Sequence, residues 1–202
     1  MTDKNVSIMN IGSMGYLPQV FKKIENEKKL NIVYLGGSIT MGCNATKTEL
    51  RYVDRSAKWW QTNFPDAEIS YFNAGIGATT SQFGVARVQE HVLDKQPDLV
   101  FVEFSVNDSS SPLFMETYES LVRRLLKAES VKAVVLINNL FYDTGTNAQG
   151  IHNAIGLHYD LPIVSVRNYI FPEIQLGNVC LADYTADMLH PTDLGHKMIA
   201  DL

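Results

Sequence analysis

The sequence has few cysteines, no long apolar run and no concentration of positive charge. Its 202 residues include only Cys43 and Cys180, too few for a disulfide framework, so we expect two buried free thiols. No apolar stretch approaches the ~20 residues that a membrane helix needs. Lys and Arg number 17 against 22 Asp and Glu, and they form no basic stretch. The sequence therefore predicts neither a membrane span nor a nucleic-acid partner.

The N-terminal residues also lack the apolar core of a secretory signal. The sequence as given predicts a cytoplasmic protein, although a secreted protein whose leader had been removed would have the same pattern. With 46% hydrophobic and 19% charged residues, the composition is that of a folded globular protein. The length predicts a single domain over 1–202, on which residues 1–29 pack as an N-terminal extension.

Short apolar segments rich in Val, Ile, Phe and Tyr alternate with stretches of helical spacing. The apolar runs predict strands that are buried on both faces of a parallel sheet, at 30–35, 68–72, 99–104, 133–137 and 162–166. Helical periodicity follows at 48–63, 81–93, 114–127 and 147–159. Pro191 suits the first position of one more helix. This alternation predicts an α/β fold, a three-layer α/β/α sandwich around a five-stranded parallel sheet.

Ligands of such sheets bind beyond the carboxyl ends of the strands, where this chain has small and polar residues. The loop after the first predicted strand is not a P-loop, because Cys43 stands where Lys is required. The next glycine loop is not a dinucleotide fingerprint, because Thr80 replaces its third glycine. The nucleophile elbow Gly-x-Ser-x-Gly matches at Gly36 and Ser38, but its last position is Thr40.

Two residues that follow predicted strands, Ser38 and Asn107, could still take part in nucleophilic catalysis. Ser38 stands where a strand ends and a helix can begin, so its hydroxyl and its backbone N–H would face a substrate beyond the sheet edge. The alternative is a turn or helix-capping serine. Asn107 follows the third predicted strand, and its amide could donate to a developing oxyanion. The alternative is a turn residue that tolerates left-handed backbone.

An acid and a histidine near the C-terminus supply a candidate base. Asp187 precedes His190 by three residues, a spacing that lets the carboxylate bind one imidazole nitrogen while the other points away. A capping or surface role is the alternative. Asp183 and Asp193 are nearby as other orienting acids, but the first needs a loop to bring it round and the second would point along the helix. The five histidines have no i, i+4 pair, so we expect no metal site.

Taken together, these pieces resemble the SGNH hydrolases, the group of GDSL esterases and lipases, and within it the GGSIT-type members. The chain has the family's blocks in order: Gly-Gly-Ser-Ile-Thr at 36–40, Asn-Ala-Gly-Ile-Gly-Ala-Thr-Thr-Ser at 73–81, Ser-Val-Asn-Asp at 105–108 and Asp-Met-Leu-His at 187–190. Gly37 replaces the Asp of the GDS signature, as in other GGSIT-type members, and Ser105 replaces the glycine of the third block. Neither change removes a catalytic group.

The resemblance implies a flavodoxin-like SGNH hydrolase fold and a serine esterase without metal or cofactor. The implied catalytic residues are Ser38 as nucleophile, His190 as general base and Asp187 as its orienting partner. The implied oxyanion donors are the N–H of Ser38, the side chain of Asn107 and the N–H of Gly77, with Ala78 as the alternative to Gly77.

The resemblance to GGSIT-type members also implies short-chain, acetyl esters of a carbohydrate as substrates, either a small molecule or an oligosaccharide. A lysophospholipase or thioesterase is the alternative, and a non-catalytic module that binds a small ligand in the same crevice is another. We expect Phe141 and Tyr142, after the fourth strand, to shape the pocket. Of Trp59 and Trp60, adjacent on a helix, we expect one in the core and one partly exposed.

Overall fold

A computed structural model describes residues 3–202, which contain one six-stranded sheet. Its strands are β1 (Ile8–Asn10), β2 (Lys29–Gly36), β3 (Glu68–Gly75), β4 (Leu99–Glu103), β5 (Ala133–Asn138) and β6 (Ile163–Ser165). Their order across the sheet is β1-β6-β5-β4-β2-β3. All neighbouring pairs are parallel except β1 with β6. The α/β architecture is therefore confirmed.

Helices cover both faces of the sheet. They are α1 (Leu17–Glu27), α2 (Ser38–Met41), α3 (Tyr52–Asn63), α4 (Ser81–His91), α5 (Pro112–Leu126), α6 (Gln149–His158), α7 (Val166–Gln175), α8 (Leu181–Tyr184) and α9 (Asp193–Asp201). One core cluster joins the sheet to α1, α3, α7 and α9, and the other joins it to α4, α5 and α6. Within residues 3–202, no helix has the length and apolar character needed to cross a bilayer.

The apolar runs form central strands because both of their faces are buried. In β2, Ile32 and Tyr34 contribute to one core cluster while Val33 and Leu35 contribute to the other. Alternate residues of a strand point to opposite faces, so a continuous run of apolar residues supplies both cores at once. Phe101, on β4, stacks on Tyr34 with ring centroids 4.8 Å apart.

The prediction of five strands was wrong by one, because β1 adds a sixth at the edge of the sheet. Ile8 and Asn10 pair antiparallel with Val164 and Ile163 of β6. The strand has only three residues, none of them buried, so it has no apolar run that a sequence pattern could detect. The N-terminal segment also supplies α1, whose Val20 and Ile24 lie in the core.

The last helix begins later than Pro191 suggested. Its first residue is Asp193, and the Thr192 hydroxyl caps it by accepting a hydrogen bond from the Gly195 N–H. Pro191 instead forms an isolated antiparallel bridge with Thr185. A side-chain cap satisfies a helix N–H that has no partner within the helix, so Thr192 sets the helix start here.

The two cysteines are free, as expected, but the prediction that both are buried was wrong. Cys43 is half-buried and Cys180 is exposed. Cys180 precedes the four-residue helix α8, a short segment that does not enclose it.

A buried carboxyl group lies beneath the carboxyl edge of the sheet. Glu103, the last residue of β4, is fully buried, and its Oε2 accepts a hydrogen bond of 3.4 Å from the Thr40 hydroxyl of α2. The same Thr40 oxygen lies 2.8 Å from the hydroxyl of Tyr52, on α3. Burial, with a smaller contribution from the negative charge of Asp108, raises the pKa of Glu103 from an ordinary value of 4.5 to about 7.

Truncating a core residue of α5 should destabilise the protein. Leu121 is fully buried, whereas Leu113 of the same helix is 53% exposed. We expect Leu121→Ala to lower the free energy of unfolding by about 2–5 kcal/mol, because it removes buried methyl groups and leaves a cavity. Leu113→Ala should change it by no more than about 0.5 kcal/mol. Urea denaturation measures both, and equal effects would contradict this assignment of the core.

Glu103 should make stability depend on pH. Because its pKa is higher in the folded state, the stability that neutral Glu103 contributes is complete below pH 4.5 and is lost as the pH rises through about 7. Glu103→Gln should therefore gain stability relative to the wild type between these pH values, by roughly 1–3 kcal/mol. Denaturation midpoints at several pH values measure this gain. Glu25→Gln, at an exposed position of α1, is the control, and parallel curves for the wild type and Glu103→Gln would contradict the account.

Candidate active site

The tight turn between β2 and α2 presents Ser38 at the carboxyl edge of the sheet. A Cβ on Gly36 would lie 2.1 Å from the Thr40 hydroxyl, so only glycine fits there. Ser38 is the first residue of α2 and is 8% exposed. At this position its backbone N–H has no partner within the helix. The turn therefore presents both a hydroxyl and a free N–H.

His190 connects Ser38 to Asp187. Its Nε2 lies 2.9 Å from the Ser38 Oγ, and its Nδ1 lies 2.7 Å from the Asp187 Oδ2. When the serine hydroxyl donates to Nε2, the imidazole carries its proton on Nδ1 and donates it to the carboxylate. This chain of hydrogen bonds can take a proton from the serine oxygen and stabilise the imidazolium that results.

The loop that carries Asp187 is held by its own side chain. Oδ1 of Asp187 accepts hydrogen bonds from the N–H groups of Leu189, at 3.1 Å, and His190, at 2.7 Å. Met188, between Asp187 and Leu189, has a left-handed backbone with φ of 66°. Although burial alone would raise the pKa of Asp187, the hydrogen bonds from His190 and Leu189 outweigh it and hold the pKa well below its ordinary value. Asp187 therefore stays ionised to a lower pH than an ordinary aspartate does.

The two other candidate acids make different contacts. Asp193 accepts hydrogen bonds from the backbone N–H of Thr46, at 2.9 Å, and from its hydroxyl, at 2.6 Å. The backbone carbonyl of Asp183 accepts a hydrogen bond from the Thr192 hydroxyl. Of these three acids, only Asp187 has a hydrogen bond to His190.

Asn107 lies against the nucleophile turn. A Cβ on Gly37 would lie 2.4 Å from the Asn107 Oδ1 and 3.4 Å from its Nδ2. Gly37 is thus the residue that gives the amide room to approach the turn. Oδ1 is buried and makes no hydrogen bond to the described residues. The sequence prediction that Asn107 and Ser38 meet at one edge agrees with this packing.

The turn at Gly77 and Ala78 lies on another side of Ser38. A Cβ on Gly77 would lie 3.9 Å from the Ser38 Cβ and 3.4 Å from the Met41 Cε. Ala78, and not Gly77, has the left-handed backbone, with φ of 57°. Within the described residues, neither backbone N–H takes part in a hydrogen bond. Both N–H groups therefore remain available as donors to a ligand.

Of the two residues expected to shape the pocket, Tyr142 lies in the core and Phe141 is half-buried. Tyr142 is fully buried and is part of the core, so it has no surface for a substrate. Its backbone N–H donates a 2.8 Å hydrogen bond to the Met188 carbonyl, which supports the loop of the acid and base instead. Phe141 is half-buried and packs against the same core cluster. Trp60 is buried at 6% exposure and Trp59 is 52% exposed, as expected.

Asn44 was not predicted from the sequence as a site residue, but it contacts the loop that carries Asp187 and His190. Its Nδ2 donates a 3.4 Å hydrogen bond to the Asp187 Oδ2. No motif marks this position, and only the folded loop after α2 brings it to Asp187. Among the described residues, no group of three or more His, Cys, Asp or Glu side chains is arranged to hold a metal ion.

A groove lies elsewhere on the molecule, apart from Ser38, Asp187 and His190. It has a volume of about 860 Å³, includes residues of α3 and α9, and contains none of Ser38, Asp187 and His190. The arrangement around Ser38 is thus a surface at the sheet edge and not part of this groove.

The chain is similar to known proteins in both sequence and structure. Residues 34–198 match the GDSL-like Lipase/Acylhydrolase family. An acetylxylan esterase of Geobacillus stearothermophilus is 25% identical, over 88% of this chain and 93% of that protein. A variant of the acetylxylan esterase Axe2 from the same organism has a TM-score of 0.70 at 21% identity, over 85% of this chain and 91% of its own. At that identity, the likeness shows the fold alone.

A crystal structure of a two-domain esterase (CEX) active on acetylated mannans, co-crystallised with mannopentaose, has a TM-score of 0.97 at 45% identity. The alignment covers 100% of this chain and 55% of that esterase, so the chain spans about half the length of this relative. The family match covers most of the chain, and all four ordered blocks of the sequence lie within it. The chain therefore belongs to the GDSL-like lipase and acylhydrolase family, whose members are carboxylic ester hydrolases.

Proposed function

We propose that the protein is a serine esterase that removes acetyl groups from a carbohydrate, with Ser38, His190 and Asp187 as its catalytic residues. The observation that carries the proposal is the hydrogen-bond chain from the Ser38 hydroxyl through both nitrogens of His190 to the Asp187 carboxylate. A molecule that only bound a ligand would have no need of this chain. It is the arrangement that activates a serine nucleophile.

The first half of the reaction acylates Ser38. Its Oγ attacks the carbonyl carbon of the acetyl ester while its proton moves to Nε2 of His190. The ionised Asp187 stabilises the imidazolium that forms. When the tetrahedral intermediate collapses, the sugar oxygen leaves with the proton from Nε2, and acetyl-Ser38 remains.

Water completes the reaction by the same path. It attacks acetyl-Ser38 and gives a proton to Nε2, and the second tetrahedral intermediate then releases acetic acid, which ionises in solution, as the proton on Nε2 returns to the Ser38 oxygen. In both halves, negative charge develops on the carbonyl oxygen. The donors proposed for it are the Ser38 N–H, the Asn107 amide and an N–H of the turn at Gly77 and Ala78. Neither half-reaction needs a metal or a cofactor.

The solvent exposure of the site and the activities of related proteins support a carbohydrate as the alcohol part of the ester. The His190 and Asp187 side chains are 23% and 45% exposed, so the catalytic edge is open to solvent and has room for a bulky sugar chain. One relative is an acetylxylan esterase, and another acts on acetylated mannans. A Cβ on Gly77 would lie 3.4 Å from the Met41 Cε and 3.9 Å from the Ser38 Cβ, so the Met41 side chain lies near the nucleophile, which favours a short acyl group.

The substrate class is tested with a panel of esters and two serine variants. We expect p-nitrophenyl acetate to be hydrolysed faster than the butyrate and the octanoate, and acetate to be released from acetylated xylo- and manno-oligosaccharides. Ser38→Ala should lose several orders of magnitude in kcat, since the same change in the best-studied serine hydrolase costs roughly 10⁶. Ser130→Ala, in the turn that precedes β5, is the control and should retain full activity.

Other outcomes would lead to other conclusions. Preference for the octanoate would favour a lysophospholipase or thioesterase over a carbohydrate esterase. Equal activity of the wild type and Ser38→Ala would reject Ser38 as the nucleophile. A folded wild type that is inactive on every ester would reject the proposed activity and favour a module that only binds a small ligand.

A further inference from the structure

A buried carboxylate and imidazole pair lies directly behind the Asn107 loop. Asp108 follows Asn107 in the turn after β4, and His152 lies on α6. Oδ2 of Asp108 is 3.1 Å from Nε2 of His152, and both side chains are fully buried. The imidazole stacks on the ring of Tyr118, with centroids 3.6 Å apart and planes inclined by 6°. The proposed mechanism uses none of these three residues.

The contacts of His152 indicate how the pair is protonated. Burial lowers the pKa of His152, although the hydrogen bond to Asp108 acts in the opposite direction. Its Nδ1 has no hydrogen-bond partner among the described residues. A neutral imidazole that carries its proton on Nε2 satisfies both observations, and it donates that proton to the Asp108 carboxylate. The imidazole therefore fixes one oxygen of Asp108.

The other carboxylate oxygen of Asp108 holds the start of α4. Oδ1 accepts a 2.9 Å hydrogen bond from the N–H of Ser81, the first residue of that helix. The preceding residue, Thr80, makes no side-chain capping hydrogen bond. A carboxylate is the favoured cap at a helix N-terminus because it accepts an unpaired N–H and faces the positive end of the helix dipole. Here the cap comes from a residue 27 positions along the chain.

Both segments that carry the proposed oxyanion donors meet at Asp108. Asn107 precedes it in the chain, and the backbone N–H groups of both residues donate to the Phe104 carbonyl. Ser81 lies three residues after Ala78 and four after Gly77. Holding Ser81 and Asn107 to one carboxylate thus fixes the Gly77 turn relative to the Asn107 amide.

We propose that Asp108, held by His152, is a positioning residue that sets the two oxyanion-donor segments at the spacing the reaction needs. This inference rests on the proposed esterase function and adds to it. Asp108 and His152 are too deeply buried to touch the substrate. They act through Asn107 and through the turn before α4.

The main test is the isosteric variant Asp108→Asn, assayed with p-nitrophenyl acetate. We expect kcat to fall by about 10- to 100-fold, less than the loss of a complete oxyanion donor, while KM stays within about twofold because ground-state binding is unchanged. The affinity for phenylboronic acid, which forms a tetrahedral adduct with the serine, should fall by a factor similar to that of kcat. His152→Phe, which keeps an aromatic ring for Tyr118 but removes the hydrogen bond, should show a smaller loss in the same direction.

Asp98→Asn is the matched control for a merely structural effect. Asp98 is also a buried carboxylate, and its Oδ2 accepts a 2.9 Å hydrogen bond from the Asn31 N–H. It directly precedes β4 and so lies at the amino end of that strand, whereas Asp108 follows the carboxyl end. We expect this variant to lose stability and to keep kcat within about twofold of the wild type, since it touches neither donor segment. If Asp98→Asn and Asp108→Asn lose equal stability and also lose equal kcat, the positioning role of Asp108 is overturned.

A double-mutant cycle with Asn107→Ala separates positioning from general damage. If Asp108 acts through Asn107, the loss of kcat caused by Asp108→Asn should be several-fold smaller in the Asn107→Ala background than in the wild type, because the effects of coupled sites are not additive. Fully multiplicative losses would overturn the proposal. If the wild type hydrolyses esters and Asp108→Asn is equally active, the positioning role is rejected but the proposed function stands. If the wild type is inactive, both the proposed function and this inference are rejected.

Discussion

The parallel pairing of β2 with both of its neighbours determines where the candidate nucleophile and the candidate oxyanion donors lie. Gly36, at the end of β2, is in register with Gly75 of β3 and with Glu103 of β4. Three strands therefore end at the same level, and the loops that follow them start side by side. This register is the reason that the nucleophile turn, the Gly77 turn and the Asn107 loop meet, although long stretches of chain separate them.

Buried polar side chains form hydrogen bonds to the segments that follow these three strands. Glu103 accepts a hydrogen bond from α2, and Asp108 joins the Asn107 loop to α4 and α6. A buried carboxyl group is costly unless it is hydrogen-bonded or neutral. Each of the two satisfies this condition differently, since Glu103 has a raised pKa and Asp108 accepts hydrogen bonds with both oxygens.

The sequence predicted what depends on local pattern and on strand ends. The apolar runs predicted the five parallel strands, which the structure confirms, and the ordered blocks predicted Ser38, Asn107 and the pair of Asp187 and His190 as site residues. Strand β1 was missed because three unburied residues carry no periodic signal. The burial of Tyr142 and the pairing of Asp108 with His152 depend on contacts between distant segments, which no local spacing encodes. Whether Gly77 or Ala78 supplies the backbone N–H to the oxyanion also depends on backbone conformation and not on residue type.

The central claim is that His190 activates Ser38 as a nucleophile. The most direct test is labelling with diethyl p-nitrophenyl phosphate, which leaves a stable diethylphosphoryl group on an activated serine. Mass spectrometry of the tryptic peptide 30–47 should find one such group per chain, formed in step with the loss of esterase activity. The label should be absent from Ser38→Ala and much slower to form in His190→Ala. A label on another residue, or full inactivation without a label on this peptide, would contradict the claim.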